Sequence, residues 1–167
     1  MAEVQAKQGI DKVLMIRPFS KAEEQDAARL ALQIEHNLQY ERSTEQTATK
    51  DGSVGSPGSL TVTMDIQAII SNDPLNNEIY ETFINGGLLE FWEVDFTEKN
   101  ETGQFKAKYM RGRLNSWAEP ANVESLQELS TTANIDGLPQ SGYVTVEDGL
   151  VEQASYAFRD VTAVSGA

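Results

Sequence analysis

The chain contains no cysteine, which removes disulfides and thiolate metal sites and leaves its redox compartment unreadable. It holds one histidine, His36, so acid–base chemistry at neutral pH would have to be built around that ring or around perturbed carboxylates. No apolar run approaches the ~20 residues of a membrane-spanning helix. The stretch Val13 to Ile16 is too short for the apolar core of a secretion signal, so export by that route is not expected. Asn100-Glu101-Thr102 then carries no meaning as a glycosylation acceptor. Basic residues are scarce as well, with 13 Lys+Arg against 26 Asp+Glu and a net charge of −13. A surface that neutralises phosphates is therefore excluded.

The charge is uneven. Lys99, Lys106, Lys108, Arg111 and Arg113 cluster against a single acid, Glu101, whereas Leu114 to Ala167 holds eight acids and one base, Arg159. Such a surface keeps a protein soluble; it also lets basic and acidic faces of identical subunits meet. At 167 residues the chain is long enough to bury about 70% of its unfolded surface as one domain.

What is present is clearest from Asp73 to Trp117. Asp73 and Pro74 stand where an N-cap and first helical residue belong, and Gly86-Gly87 ends the helix. Leu75, Ile79 and Phe83 recur every four residues as one buried stripe. Leu88 to Phe96 and Phe105 to Leu114 then form a hairpin whose antiparallel partners sum to 201. That register sets Phe96 beside Phe105, Val94 beside Ala107, Trp92 beside Tyr109 and Glu90 beside Arg111. On the other face it sets Asp95 beside Lys106, Glu93 beside Lys108 and Phe91 beside Met110. Matching aromatic and opposite-charge pairs on both faces contribute roughly 0.2–1 kcal/mol each and resist a one-residue slip.

Elsewhere, residues 1–12 read as a flexible arm and Lys12 to Phe19 as a short strand, while Lys21 to Leu30 is ambiguous. In Ala31 to Arg42 the residues Leu32, Ile34, His36, Leu38 and Tyr40 alternate with Gln33, Glu35, Asn37, Gln39 and Glu41, the period of a strand. Residues 43–59 are polar and Gly-rich and read as a long loop of functional type, with Thr47, Thr49, Lys50, Asp51 and Gly52 at its centre. Leu60 to Ile70 alternates as a strand. Further strands are expected over Leu126 to Ile135, Tyr143 to Glu147 and Ala154 to Val161. The sum is an α+β, mainly β fold: an antiparallel β-sandwich of about eight strands flanked by one α-helix.

Catalytic constellations are missing. His36 lies on the Leu/Ile/Tyr face of its strand, as a satisfied core histidine would. The glycines at 52, 55 and 58 open no helix and cradle no phosphate. Glu93 and Asp95 are spaced like an acid–base or cation pair, but the hairpin register gives each a lysine partner. Asp51-Gly52 and Asp148-Gly149 fit turns and lack the alternating oxygen ligands of a calcium loop. No cofactor, no metal and no enzymatic activity are expected.

The ordered series "RPF" (Arg17 to Phe19), "EH…ER…TKDG" (Glu35 to Gly52), "DPL" opening a helix, "GGLLEFWEVDF", "KAKYMRG" and "GLPQSGYVTV" resembles the major tail protein family of long-tailed, non-contractile phages of Gram-positive hosts. The resemblance spans nearly the whole chain, so residues 1–167 are expected to be a single tail-tube domain. A minimal tube subunit, without the immunoglobulin-like surface domain of some relatives, is expected. The resemblance implies a virion tail subunit, assembled in the host cytoplasm, that forms hexameric rings stacked into a tube. One sheet of each subunit would line a channel that carries DNA without specific binding. Implied partners are the subunit itself and the tape-measure, tail-terminator and tail-tip proteins, with no membrane. Residues 43–59 and the N-terminal arm would then order in ring-to-ring contacts. Rival readings are a sugar- or ligand-binding sandwich using Trp92, Trp117 and Tyr109, a hydrolase using Glu93 and Asp95, and the tube of a contractile injection system.

Overall fold

A computed structural model of the chain describes Val4 and residues 6–146. In order, the elements are β1 (Lys12–Pro18), β2 (Ala28–Arg29), β3 (Gln33–Thr49), β4 (Gly52–Ile69), α1 (Pro74–Ile84), β5 (Leu89–Lys99), β6 (Phe105–Ala118), β7 (Glu128–Ile135) and β8 (Gln140–Val144). The expected strand over Ala154 to Val161 lies outside the described residues. All pairings are antiparallel.

The strands make one sheet in the order β2-β1-β5-β6-β7-β4-β3, with β8 pairing β6 beside β7. The expected sandwich is thus made by one sheet doubled over on a shared strand. β6 is long enough to serve both halves: its first part pairs β5 and β8, and residues from Gly112 onward pair β7. An irregularity between Leu114 and Ser116 gives the extra twist such a strand needs. Gly112 marks the crossover, since a Cβ there would stand 2.2 Å from the Asn134 carbonyl oxygen.

Between the halves lies the main core: Leu14 and Ile16 of β1, Val62, Met64, Ile66 and Ala68 of β4, Leu89 and Phe91 of β5, Met110 and Leu114 of β6 and Ala133 and Ile135 of β7. The alternation read in Leu60 to Ile70 is the reason, because Val62, Met64, Ile66 and Ala68 all face inward. α1 closes the same core with Leu75 and Ile79, while Phe83 stacks on Trp117 at 6.1 Å. The Asp73 carboxylate caps the helix by accepting from the Leu75 amide at 3.0 Å. Gly86, at φ 68°, turns the chain out of it.

Two expectations need correction. Residues 43–59 are not a loop: β3 and β4 continue as a ribbon, pairing Thr44 with Pro57 and onward to Thr49 with Gly52. Only Lys50 and Asp51 form the turn, and Gly52 takes φ 124°. The threonines and Val54 suit an extended backbone. Pro57 and Gly58 sit at a register shift between Arg42 and Thr44, where a missing N–H is tolerated. A Cβ at Gly58 would stand 2.6 Å from the Ser43 carbonyl oxygen, so a larger residue would force the backbone to shift. The N-terminal arm is also less free than its composition suggests. Residues 9–11 form a 3-10 turn, and the Lys7 ammonium pairs with Asp95 at 3.0 Å and with Glu98.

Candidate assembly surfaces

The β5–β6 ribbon pairs Glu90 with Arg111, Trp92 with Tyr109, Glu93 with Lys108 and Asp95 with Lys106, every pair summing to 201. Aromatic pairs meet accordingly, Trp92 with Tyr109 at 5.2 Å and Phe96 with Phe105 at 5.1 Å. The carboxylates behave differently from their backbone register. Glu90 is bound by Arg17 at 2.8 Å and by the Tyr109 hydroxyl at 2.6 Å, while the Arg111 guanidinium lies over Phe19. Glu93 binds His36 at 3.0 Å and Lys12 at 3.5 Å. Asp95 takes Lys7 and the amide and hydroxyl of Thr97, and Lys106 turns to Glu98 at 3.4 Å. The reason is that β5 is a central strand. Its other neighbour, β1, sets Arg17 opposite Glu90 and Lys12 opposite Asp95, and buried carboxylates take the partners the interior supplies.

These contacts set the charge states. The hydrogen bond from His36 holds the Glu93 carboxyl below the usual glutamate range, against the opposing effect of burial, with Lys12 and Lys108 adding to it. Burial pushes Asp95 up, but Thr97 and Lys7 outweigh it and leave the group lowered. Burial, and donation to Glu90, push the Tyr109 phenol up to about 12. All four oxygens of Glu93 and Asp95 accept from protein donors, so the pair serves as a structural tie. The histidine links β3 to β5 across one wall of an open cleft of about 1060 Å³ between β1 and the start of β3. Sequence reasoning placed His36 on an inward face but had no signal for its partner, 57 residues away.

The residues singled out in the middle segment, Thr47, Thr49, Lys50, Asp51 and Gly52, form the tip of the β3–β4 ribbon, and all are exposed. Local bonds shape the tip: the Thr49 hydroxyl donates to the Gly52 carbonyl at 2.6 Å and accepts from the Asp51 amide at 3.3 Å. From Arg42 to Leu60 the ribbon pairs only with itself, because β7 reaches β4 only from Val62 to Ile69. Both margins of this arm are therefore without a strand among the described residues.

Nearer the core, the outward rows of β3, β4 and β7 form one surface. β3 contributes Glu35, Asn37, Gln39 and Glu41; opposite them on β4 stand Gln67, Asp65, Thr63 and Thr61. β7 adds Ser130, Thr132 and Asn134. The Thr132 hydroxyl donates to Asp65 at 2.8 Å. On these three strands the surface carries no apolar side chain and no lysine or arginine, and its three charges are all acidic; the next strand, β6, sets exposed Arg113 opposite Asn134. α1 lies on the opposite side of this strip, in the core, and no other described element covers the surface. The polar half of the alternation in residues 33–41 was the signal for it.

Comparison with known proteins decides the identity. The family model described as phage tail tube protein matches residues 6–141. The chain belongs to that family. It is 28% identical over 163 residues to a protein of Staphylococcus phage phiMR25 assigned to the tail, covering 93% of this chain and 83% of that one. Its fold matches the subunit of the SPP1 tail tube with a TM-score of 0.73 at 21% identity, over 95% of this chain and 94% of that chain. A tail subunit of an empty gene transfer agent particle matches with a TM-score of 0.63 at 10% identity, over 84% of this chain and 100% of that chain. The protein is thus a structural subunit of a phage tail tube, a virion tail component.

Proposed function

We propose that six copies of this tube subunit close into a ring, that rings stack into a hollow tube, and that the tube conducts double-stranded DNA from capsid to host. The observation that carries this reading is the bare polar surface of β3, β4 and β7. A sheet face left uncovered, with hydroxyls, amides and carboxylates but no base, suits a wall past which a polyanion must slide. Each lysine or arginine contact would add a salt-sensitive attraction to duplex DNA, which carries one charge per ~1.7 Å. With α1 on the core side, this surface faces the channel and the helix faces away from it. Sixfold repetition then multiplies the three acids around the bore. The sixfold symmetry of the gene transfer agent tail supports the copy number.

The β3–β4 arm fits the same scheme. An isolated two-stranded ribbon is marginal in water, and one with two bare margins invites strands from neighbours. The arm, with Thr47 to Gly52 at its tip, serves contacts between rings and is ordered by them. The subunit has no catalytic role. Beyond itself it meets the tape-measure protein inside the bore and the terminator and tail-tip proteins at the tube ends, and it assembles in the host cytoplasm.

Electron microscopy of the concentrated protein tests the reading: rings or tubes of uniform width are expected. A protein that stays monomeric at all concentrations and salt conditions would overturn it.

A further inference from the structure

The two ends of the doubled sheet, β2–β1 and β3, meet on the open side of the core with no strand ladder between them. We infer that Gln33 closes this gap as a clasp: its side-chain amide supplies the rung that β2 is too short to provide and fastens the start of β3 to β1. The clasp lies within one subunit and is independent of how copies assemble.

β2 pairs only Ala28 and Arg29, with Ile16 and Met15 of β1. The Leu30 amide then donates to the Leu14 carbonyl at 3.2 Å, and the chain leaves the edge. Leu14 still presents its amide on that side, because both backbone groups of an antiparallel strand residue point to the same neighbour. Gln33 engages both groups. Its Oε1 accepts from the Leu14 amide at 3.1 Å, and its Nε2 donates to the Leu14 carbonyl at 2.7 Å and to the Leu30 carbonyl at 3.0 Å. A side chain thus reproduces the two-way exchange of an antiparallel pair.

The local backbone is built to aim it. Strict alternation would send Gln33 outward with Glu35, Asn37, Gln39 and Glu41. Instead the ladder with β4 slips between Gln33 and Glu35, leaving Ile34 as an extra residue, and such a bulge re-aims a side chain. Just before it, Leu32 takes φ 55°, the one positive φ outside glycine among the described residues, a costly conformation for a residue with a side chain. Leu32 and Ile34 are 57% and 51% exposed, so neither irregularity serves to bury its own side chain. What they share is the residue between them. Strain of this kind persists only where the surroundings hold it; here the clasp and the Ile69 amide, which donates to the Leu32 carbonyl at 3.0 Å, do so. Because β3 bears the acidic outward row and runs on into the arm, the clasp fixes where both stand relative to the core.

Residue-resolved hydrogen exchange on the full-length chain tests the clasp. The Leu14 and Met15 amides point to opposite sides of β1, the first toward Gln33 and the second toward β5, so Met15 is an internal control. Gln33→Leu should speed exchange of the Leu14 amide about tenfold, the scale of one lost hydrogen bond, and leave Met15 unchanged. Gln33→Asn, one methylene shorter, should do the same and carries the test if the leucine variant fails to fold. An unchanged Leu14 rate, or Leu14 and Met15 rates rising together, would overturn the clasp. Leu32→Gly, free to take φ 55°, should raise the denaturation midpoint of the parent but not that of Gln33→Leu, where the strain is already released. An equal change in both backgrounds would overturn the link between the strain and the clasp.

Discussion

Two long antiparallel ribbons, β5–β6 and β3–β4, share the same backbone chemistry and are held by different means. β5 is flanked by β1 and β6, buried on both faces, and its three buried carboxylates are tied to Arg17, His36, Lys12 and Lys7. The outer part of β3–β4 has no flanking strand, buries nothing, and is held by its own ladder and a few hydroxyl bonds. Hydrogen bonds give each ribbon its shape. Burial and side-chain ties decide which one the isolated subunit can fix in place.

Truncation on the two ribbons should separate them most strongly. Phe91 is fully buried in the main core, whereas Val54 is 60% exposed on the arm. Phe91→Ala should cost about 3–5 kcal/mol in chemical denaturation, and Val54→Ala no more than about 0.5 kcal/mol. Equal losses would erase the distinction. Next in size is Glu90→Ala, which removes the buried carboxylate that half-buried Arg17 and Tyr109 both donate to and should cost about 1–3 kcal/mol. Arg111→Glu should not rescue Glu90→Arg, because Arg111 lies over Phe19 and makes no ion pair with Glu90; a rescue measured by thermal melting would show that the backbone register also governs the charges.

The β5–β6 register was legible because both its faces carry matched partners within one short stretch of sequence. The carboxylate ties were not, since Arg17, Lys12 and His36 come from strands far away in sequence and nothing local marks them as neighbours of β5. The arm was misread for a related reason. Its serines, glycines and Pro57 resemble loop composition, and a ladder that depends on two distant halves pairing leaves no hydrophobic period to detect. The helix, by contrast, was readable to its cap, because Asp73, Pro74 and the stripe at four-residue spacing all act locally.

A smaller effect concerns pH. The Glu93 carboxyl is lowered in the folded chain, first by the His36 hydrogen bond. A lowered carboxyl contributes stability above its unfolded pKa of about 4.3, and that contribution is lost as pH falls through the folded value. Glu93→Gln should therefore flatten the acid limb of the stability profile below about pH 4.3, and the parent chain should lose stability more steeply there. The smallest effect on the subunit belongs to the arm: replacing residues 47–55 by a short Gly-Ser link should change folding stability by no more than about 0.5 kcal/mol while abolishing tubes under the electron microscope. Tubes of normal length would show that the arm is dispensable.

The most direct measurement is a cryo-electron microscopy reconstruction of the assembled tube at side-chain resolution. The account predicts that Asn37, Asp65 and Thr132 face the bore, that acids outnumber bases on its wall, and that α1 lies on the far side of the sheet. A bore lined by α1, or a net basic wall, would contradict it.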